Sequence, residues 1–301
     1  MGLTEDKMND ILIMTDSSSD ISLETEKEYG VKVLNIPLTI NNKGYYERVD
    51  FTYDEFYKIL NENEEIPCTS HITAPIFCDE FEKAYNEGYK DIIYVSINEN
   101  GSATYNASIS GKDMFFEEHP EAKDKFNIHL VPSKTYSFGY GWPVIEAAKL
   151  LREKNPSADE LVEFLNKDLK EVDVCFTMQT LKFAKKSGRL SATAAFVGEM
   201  LGIRPLIIFR DGKNVINEKI RGDKNIIPSL TDYYLKNVGE NTDYYIITGE
   251  NSTIGDELEN AIFEKTGKRA LGKIKEGASI AINAGPKVLA VVFHSKNKSE
   301  L

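Results

Sequence analysis

Four short stretches of this chain carry the side chains best suited to polar chemistry. Thr15-Asp16-Ser17-Ser18-Ser19-Asp20 closes an apolar run that begins at Ile11, and Asn98-Glu99-Asn100-Gly101-Ser102-Ala103-Thr104 closes another that begins at Ile92. Buried strands of a parallel sheet read as short continuous apolar runs, and ligands settle just outside their carboxyl ends. Two such ends rich in hydroxyls, amides and carboxylates predict a pocket that orients a ligand through neutral hydrogen bonds more than through cations. Asp16 and Asp20 also suit a metal or a phosphoryl group, although aspartyl-phosphate chemistry wants Asp-x-Asp and the order here is Asp16-Ser17-Ser18. The structural alternative is that Ser18 or Ser19 caps the helix that follows.

The third stretch, Thr69-Ser70-His71, precedes a helical pattern. Ser and Thr favour such loops for conformational reasons, yet free amides and hydroxyls at a helix start also bind anions such as carboxylates. The fourth, Lys185-Lys186-Ser187-Gly188-Arg189-Leu190-Ser191, reads as a solvated basic turn or as one that aims Arg189 at a carboxylate or an acidic partner. No G-x-S-x-G elbow, Walker loop, G-x-G-x-x-G or H-E-x-x-H occurs, and the four histidines are scattered at 71, 119, 129 and 294. The expectation is a binding protein with no catalytic residue, metal or cofactor.

These stretches need a frame. Strand-like runs at 11–14, 92–97 and 128–131 alternate with helical patterns at 23–29, 53–62, 75–87, 104–118 and 140–153, with an extended segment at 31–40 broken by Pro37. That order predicts a Rossmann-like parallel sheet with helices on both faces. Asn155-Pro156-Ser157 marks a break, with Ser157 as N-cap of a helix over 158–170. Beyond it, strands are expected at 172–177, 206–210, 215–220, 244–249, 270–274, 279–282 and 288–294, with helices at 192–201, 224–238 and 254–266. Asp211-Gly212 is a hairpin signal. The fold class is thus α/β with two domains, residues 1–160 forming the Rossmann-like unit and 161–301 an α+β mixed-sheet unit.

At 301 residues each unit is large enough to bury a core. A net charge of −12 argues against nucleic acid and against electrostatic docking on anionic membranes. No run approaches ~18 apolar residues, so stable membrane insertion is not expected. Three cysteines without C-x-x-C spacing suit a reducing cytoplasm.

In combination, the ordered set Ile13-Met14-Thr15-Asp16-Ser17-Ser18-Ser19-Asp20, Pro37-Leu38, Thr69-Ser70, Ser96-Ile97 with Ser102-Ala103-Thr104-Tyr105, Pro132-Ser133-Lys134, Leu181-Lys182-Phe183 with Ser187-Gly188-Arg189-Leu190-Ser191, and Pro205-Leu206 resembles the DegV family. The resemblance covers about residues 11–222 well. It implies a carrier that holds a long-chain fatty acid between two domains and presents its carboxylate to a fatty acid kinase. It also implies a head-group site near Thr69, Ser70, Asn98, Ser102, Thr104 and Asn283, with Arg189 supporting that site or meeting the kinase. Asn98-Glu99 stands where the family carries two serines, and Asn283 where it carries a histidine. Two other readings stay open: a phosphoryl-transfer enzyme of dihydroxyacetone-kinase-like architecture, and a lipid-dependent sensor.

Overall fold

A computed structural model describes residues 10–189 and 202–296. The chain runs β1 (Ile11–Asp16), α1 (Leu23–Tyr29), β2 (Lys32–Leu34), β3 (Pro37–Ile40), β4 (Lys43–Tyr46), α2 (Tyr53–Glu62), β5 (Cys68–Thr69), α3 (Ala74–Asn86), β6 (Asp91–Ser96), α4 (Thr104–Glu118), β7 (Asn127–Pro132), α5 (Phe138–Lys154) and α6 (Ala158–Glu171). It continues through β8 (Val172–Met178), α7 (Lys182–Ser187), β9 (Ile203–Arg210), β10 (Lys213–Arg221), α8 (Ile226–Asn237), β11 (Tyr244–Thr248), α9 (Thr253–Thr266), β12 (Gly272–Lys275), α10 (Ala278–Ala284) and β13 (Val288–His294). The architecture is mixed α/β, as expected.

A four-stranded sheet in the order β2-β1-β6-β7 is parallel throughout. Its alternate residues feed two cores. Ile13, Ile93 and Val95 pack with Trp142 and Val144 of α5 and Leu161 and Leu165 of α6, while Leu12, Met14 and Tyr94 face Phe77 and Phe81 of α3. Burial on both faces is why β1 and β6 read as unbroken apolar runs. The second sheet, β10-β9-β8-β13-β11-β12, is mixed. One face, with Cys175, Ile208 and Val291, is covered by α8 and α9. The other, with Val174, Phe176 and Val292, belongs to the same core as α5 and α6 and so turns toward the first sheet.

Local signals are met where the cap chemistry is explicit. Ser157 and Glu160 form a capping box on α6, and Thr52 with Glu55 forms another on α2. Asp211 and Gly212 take φ values of 49° and 72°, the positive pair that a two-residue hairpin needs between β9 and β10. Ser22, not Ser18 or Ser19, caps α1.

Other expectations are corrected. Residues 279–282 are not a strand but part of α10; Ala278, Ala281 and Ile282 recur at helical spacing and are buried together. The alternation Ser279-Ile280-Ala281-Ile282 imitates a strand, but the alanines favour a helix and tertiary partners fix it. The extended segment 31–40 splits into β2 in the parallel sheet and β3 in a separate three-stranded sheet, β4-β3-β5. The strand expected at 270–274 lies at Gly272–Lys275. The helix expected at 192–201 falls outside the described residues.

Candidate functional site

The β1 end is a closed knot. Asp16 is fully buried and accepts from Tyr140 Oη at 2.7 Å, Ile97 N at 2.9 Å, Tyr94 Oη at 3.1 Å and Ser18 N at 3.2 Å. Burial raises its pKa above the usual carboxylate range, against the pull of those hydrogen bonds. Asp20 accepts from Gly277 N at 2.8 Å and from Ser137 Oγ. Glu47 accepts from Ser279 N at 3.0 Å and from Ser17 Oγ at 2.6 Å. Burial drives the pKa of Asp20 well up and that of Glu47 up. Together they tie the first sheet to the start of α10. Of the stretch from Asp16 to Asp20, only Ser18 lines the large cavity described next.

That cavity holds about 860 Å³, within the range of about 300–1,000 Å³ usual for small-molecule sites. Its apolar side is the inward face of the second sheet: Val174, Phe176 and Met178 of β8, Phe209 of β9, and Val288 and Ala290 of β13. They alternate along their strands, so this wall follows directly from the period of two. The opposite side is polar. It is built by the loop after β6, by Thr69 and Ser70 at the end of β5, by α10, and by Arg189 and Asn214 at the rim.

The residues expected from the sequence divide into two groups. Thr69, Ser70, Ser102, Arg189 and Asn283 line the cavity. Asn98 and Thr104 do not; they stand behind its wall. Asn98 is fully buried, donates through Nδ2 to Gly212 O at 2.7 Å and accepts through Oδ1 from Asn100 N at 3.1 Å, pinning the β6–α4 loop to the β9–β10 turn. Thr104, also buried, shares a 2.8 Å hydroxyl contact with Ser102. Thr69 is not loop but pairs with Leu38 across β3, and Ser70 N donates to Pro37 O at 2.9 Å. Arg189 Nε donates to Gly101 O at 3.2 Å, and Asn214 Nδ2 donates to Arg189 O at 2.7 Å.

Among the wall residues, Tyr136, Ser279 and Glu276 gave no sequence signal as site residues. Tyr136 packs so closely that a Cβ on Gly101 would lie 2.0 Å from its hydroxyl, and burial pushes that hydroxyl up to about 12. Ser18, Ser279 and Glu276 reach the cavity from segments far apart in sequence. Glu99 lines it half-buried, with Oε2 shielded and without a partner among the described residues. Asn283 Nδ2 donates to Ser279 O at 2.7 Å, which orients the amide and leaves Oδ1 without a partner among the described residues.

Among the described residues, no three His, Cys, Asp or Glu side chains are grouped to hold a metal ion, and no helix is long and apolar enough to cross a membrane. Comparison with known proteins then bears on the arrangement as a whole. A "DegV domain-containing protein" of Caldanaerobacter subterraneus is 28% identical over 96% of this chain and 100% of its own length. A solved structure described as a fatty acid binding DegV family protein from Streptococcus agalactiae is 26% identical, with a TM-score of 0.83 over 95% of this chain and 99% of that one. A DegV family protein of Thermus thermophilus, described by its fatty acid binding, shares the fold at a TM-score of 0.83 with 21% identity over 95% of this chain and 99% of that one. A family model described as "Uncharacterised protein, DegV family" matches residues 10–296, both sheets and the cavity between them included. The chain belongs to the DegV family.

Proposed function

We propose that this protein is a carrier, not an enzyme: it binds a long-chain fatty acid in the cavity and offers the carboxyl to a partner fatty acid kinase. The observation that carries the reading is that one continuous cavity has an apolar wall on the second sheet and a polar wall facing it, built by the loop after β6, the end of β5 and α10. Burying ~14 methylenes at ~0.8 kcal/mol each contributes roughly 11 kcal/mol before ordering costs. A few neutral hydroxyls then suffice to orient the head. Thr69, Ser70 and Ser102 supply them, joined by the Asn283 amide, with Asn98 and Thr104 holding the loop from behind. The two units of the chain divide near residue 160. The description of the S. agalactiae relative as fatty acid binding supports the ligand. The kinase finds support in the exposed Lys182, Lys185 and Arg189 beside the rim, a basic face suited to an acidic partner.

Protein freshly purified from a bacterial host, denatured and extracted, should release one C14–C18 acyl chain per polypeptide by mass spectrometry. No stoichiometric acyl ligand would defeat the reading. Ser70→Ala should weaken binding of palmitate about five-fold, the worth of roughly one hydrogen bond, without changing the unfolding midpoint. Unchanged affinity would remove Ser70 from the head-group site.

A further inference from the structure

The polar lining of the cavity extends beyond the head-group residues. Ser18, Glu276 and Ser279 also line it and are 1%, 2% and 3% exposed. Ser18 and Ser279 meet where the turn at Ser17–Ser19 touches the start of α10, and Glu276 lines the cavity from two residues before that helix. Ser279 N donates to Glu47 at 3.0 Å, and the Ser279 hydroxyl lies 2.9 Å from that of Ser18. Whichever of the two hydroxyls donates to the other, Ser18 keeps acceptor capacity of its own. Glu276 Oε2 has no partner among the described residues. Burial, with Asp20 and Glu47 nearby, drives its pKa well up and so favours the protonated form, which can donate.

A methylene chain answers neither group. A hydroxyl answers both: it accepts from the Glu276 acid and donates to Ser18. Building on the fatty-acid reading of the same cavity, we infer that Ser18, Ser279 and Glu276 form a subsite for a hydroxyl on the acyl chain, which makes hydroxylated long-chain fatty acids the preferred ligand class. Ser279 and Asn283 are one helical turn apart, ~6 Å along α10. The hydroxyl therefore falls a few carbons beyond a carboxyl seated near Asn283.

The test uses the full chain, delipidated, titrated with stearic acid and with a positional series of monohydroxystearic acids. One isomer should bind about tenfold tighter than stearate, since a buried polar site discriminates strongly in favour of the group it was built to pair. In Ser18→Ala and in Glu276→Leu, the ratio of that isomer to stearate should fall to within about twofold of unity. Wild-type protein that binds stearate at least as well as every isomer would overturn the inference and leave the carrier reading standing; so would a ratio that survives both substitutions. Failure of stearate and of every isomer to bind would instead sink the carrier reading. Should the Glu276 variant not fold, the ratio in Ser18→Ala decides alone.

Discussion

The ends of β1 and β6 are spelled in the same polar alphabet and do opposite work. After β1, Asp16 is saturated by four donors and Asp20 by two, so both carboxylates are consumed in holding β6, α5 and α10 together and only Ser18 reaches the cavity. After β6, Glu99, Gly101 and Ser102 open on the cavity, while Asn98 is consumed by the turn at Gly212 and Thr104 by Ser102. The difference lies in the partners, and those come from residues far along the chain. A polar strand end is a ligand site only where the fold leaves it unsaturated.

The largest expected effect breaks the saturated end. Asp16→Ala leaves the Tyr94 and Tyr140 hydroxyls and the Ile97 N–H buried without an acceptor, and should cost about 3–5 kcal/mol in urea unfolding. A loss under about 1 kcal/mol would mean that water or a rearranged neighbour replaces the carboxylate. The open end breaks differently. Gly101→Ala drives a methyl into Tyr136, an overpacking cost of about 1–3 kcal/mol, and should also weaken acyl binding because Tyr136 lines the cavity. Adding Tyr136→Phe removes the nearest atom and should recover part of the stability; no recovery would place the strain elsewhere.

The contrast also explains what could be read without a structure. β1 and β6 are legible because both faces are buried, and the hairpin at Asp211-Gly212 because its dihedrals demand those residues. Ser102 is legible as a hydroxyl just beyond an apolar run, and Thr69 and Ser70 as hydroxyls just before a helical pattern. The helix α10 is not: its Ser-Ile-Ala-Ile alternation fits a strand, and its start is set by N–H groups of Gly277 and Ser279 meeting Asp20 and Glu47, more than 230 residues away in sequence. Glu276 and Glu47 are single acids in ordinary polar contexts, and nothing local announces that they are buried. Asn98 looked like a ligand contact because its position at a strand end is right; a turn at residue 212 claims it instead.

A pH series sharpens the comparison at the buried acids that join β1 to α10. The pKa of Glu276 is driven well above the usual glutamate range by burial and by Asp20 and Glu47. A carboxyl raised in the folded state contributes its stability below the unfolded pKa and loses it as pH climbs through the folded one. Glu276→Gln cannot titrate. Its stability relative to the wild type should therefore increase from pH 5 to pH 8 in chemical denaturation, whatever the rest of the protein does. A gap that stays flat would mean that Glu276 ionises in the fold without penalty.

The smallest effect belongs to the open end. Glu99 lines the cavity, and among the described residues no cation pairs with it. A fatty carboxylate at Thr69 and Ser70 would feel that charge across the cavity, and a repulsion of about 0.5–1 kcal/mol is what a partly solvated separation of this kind allows. Glu99→Gln should thus tighten stearate binding about threefold at low salt, with the gain shrinking at high salt as the charges are screened. The salt dependence matters more than the size, because a gain from repacking alone would not respond to ions. Equal affinities at both salt concentrations would put the ligand's carboxyl out of reach of the β6 end. Ser70 and Asn283 would then be left to hold it, with the β6 loop serving only to shape the wall.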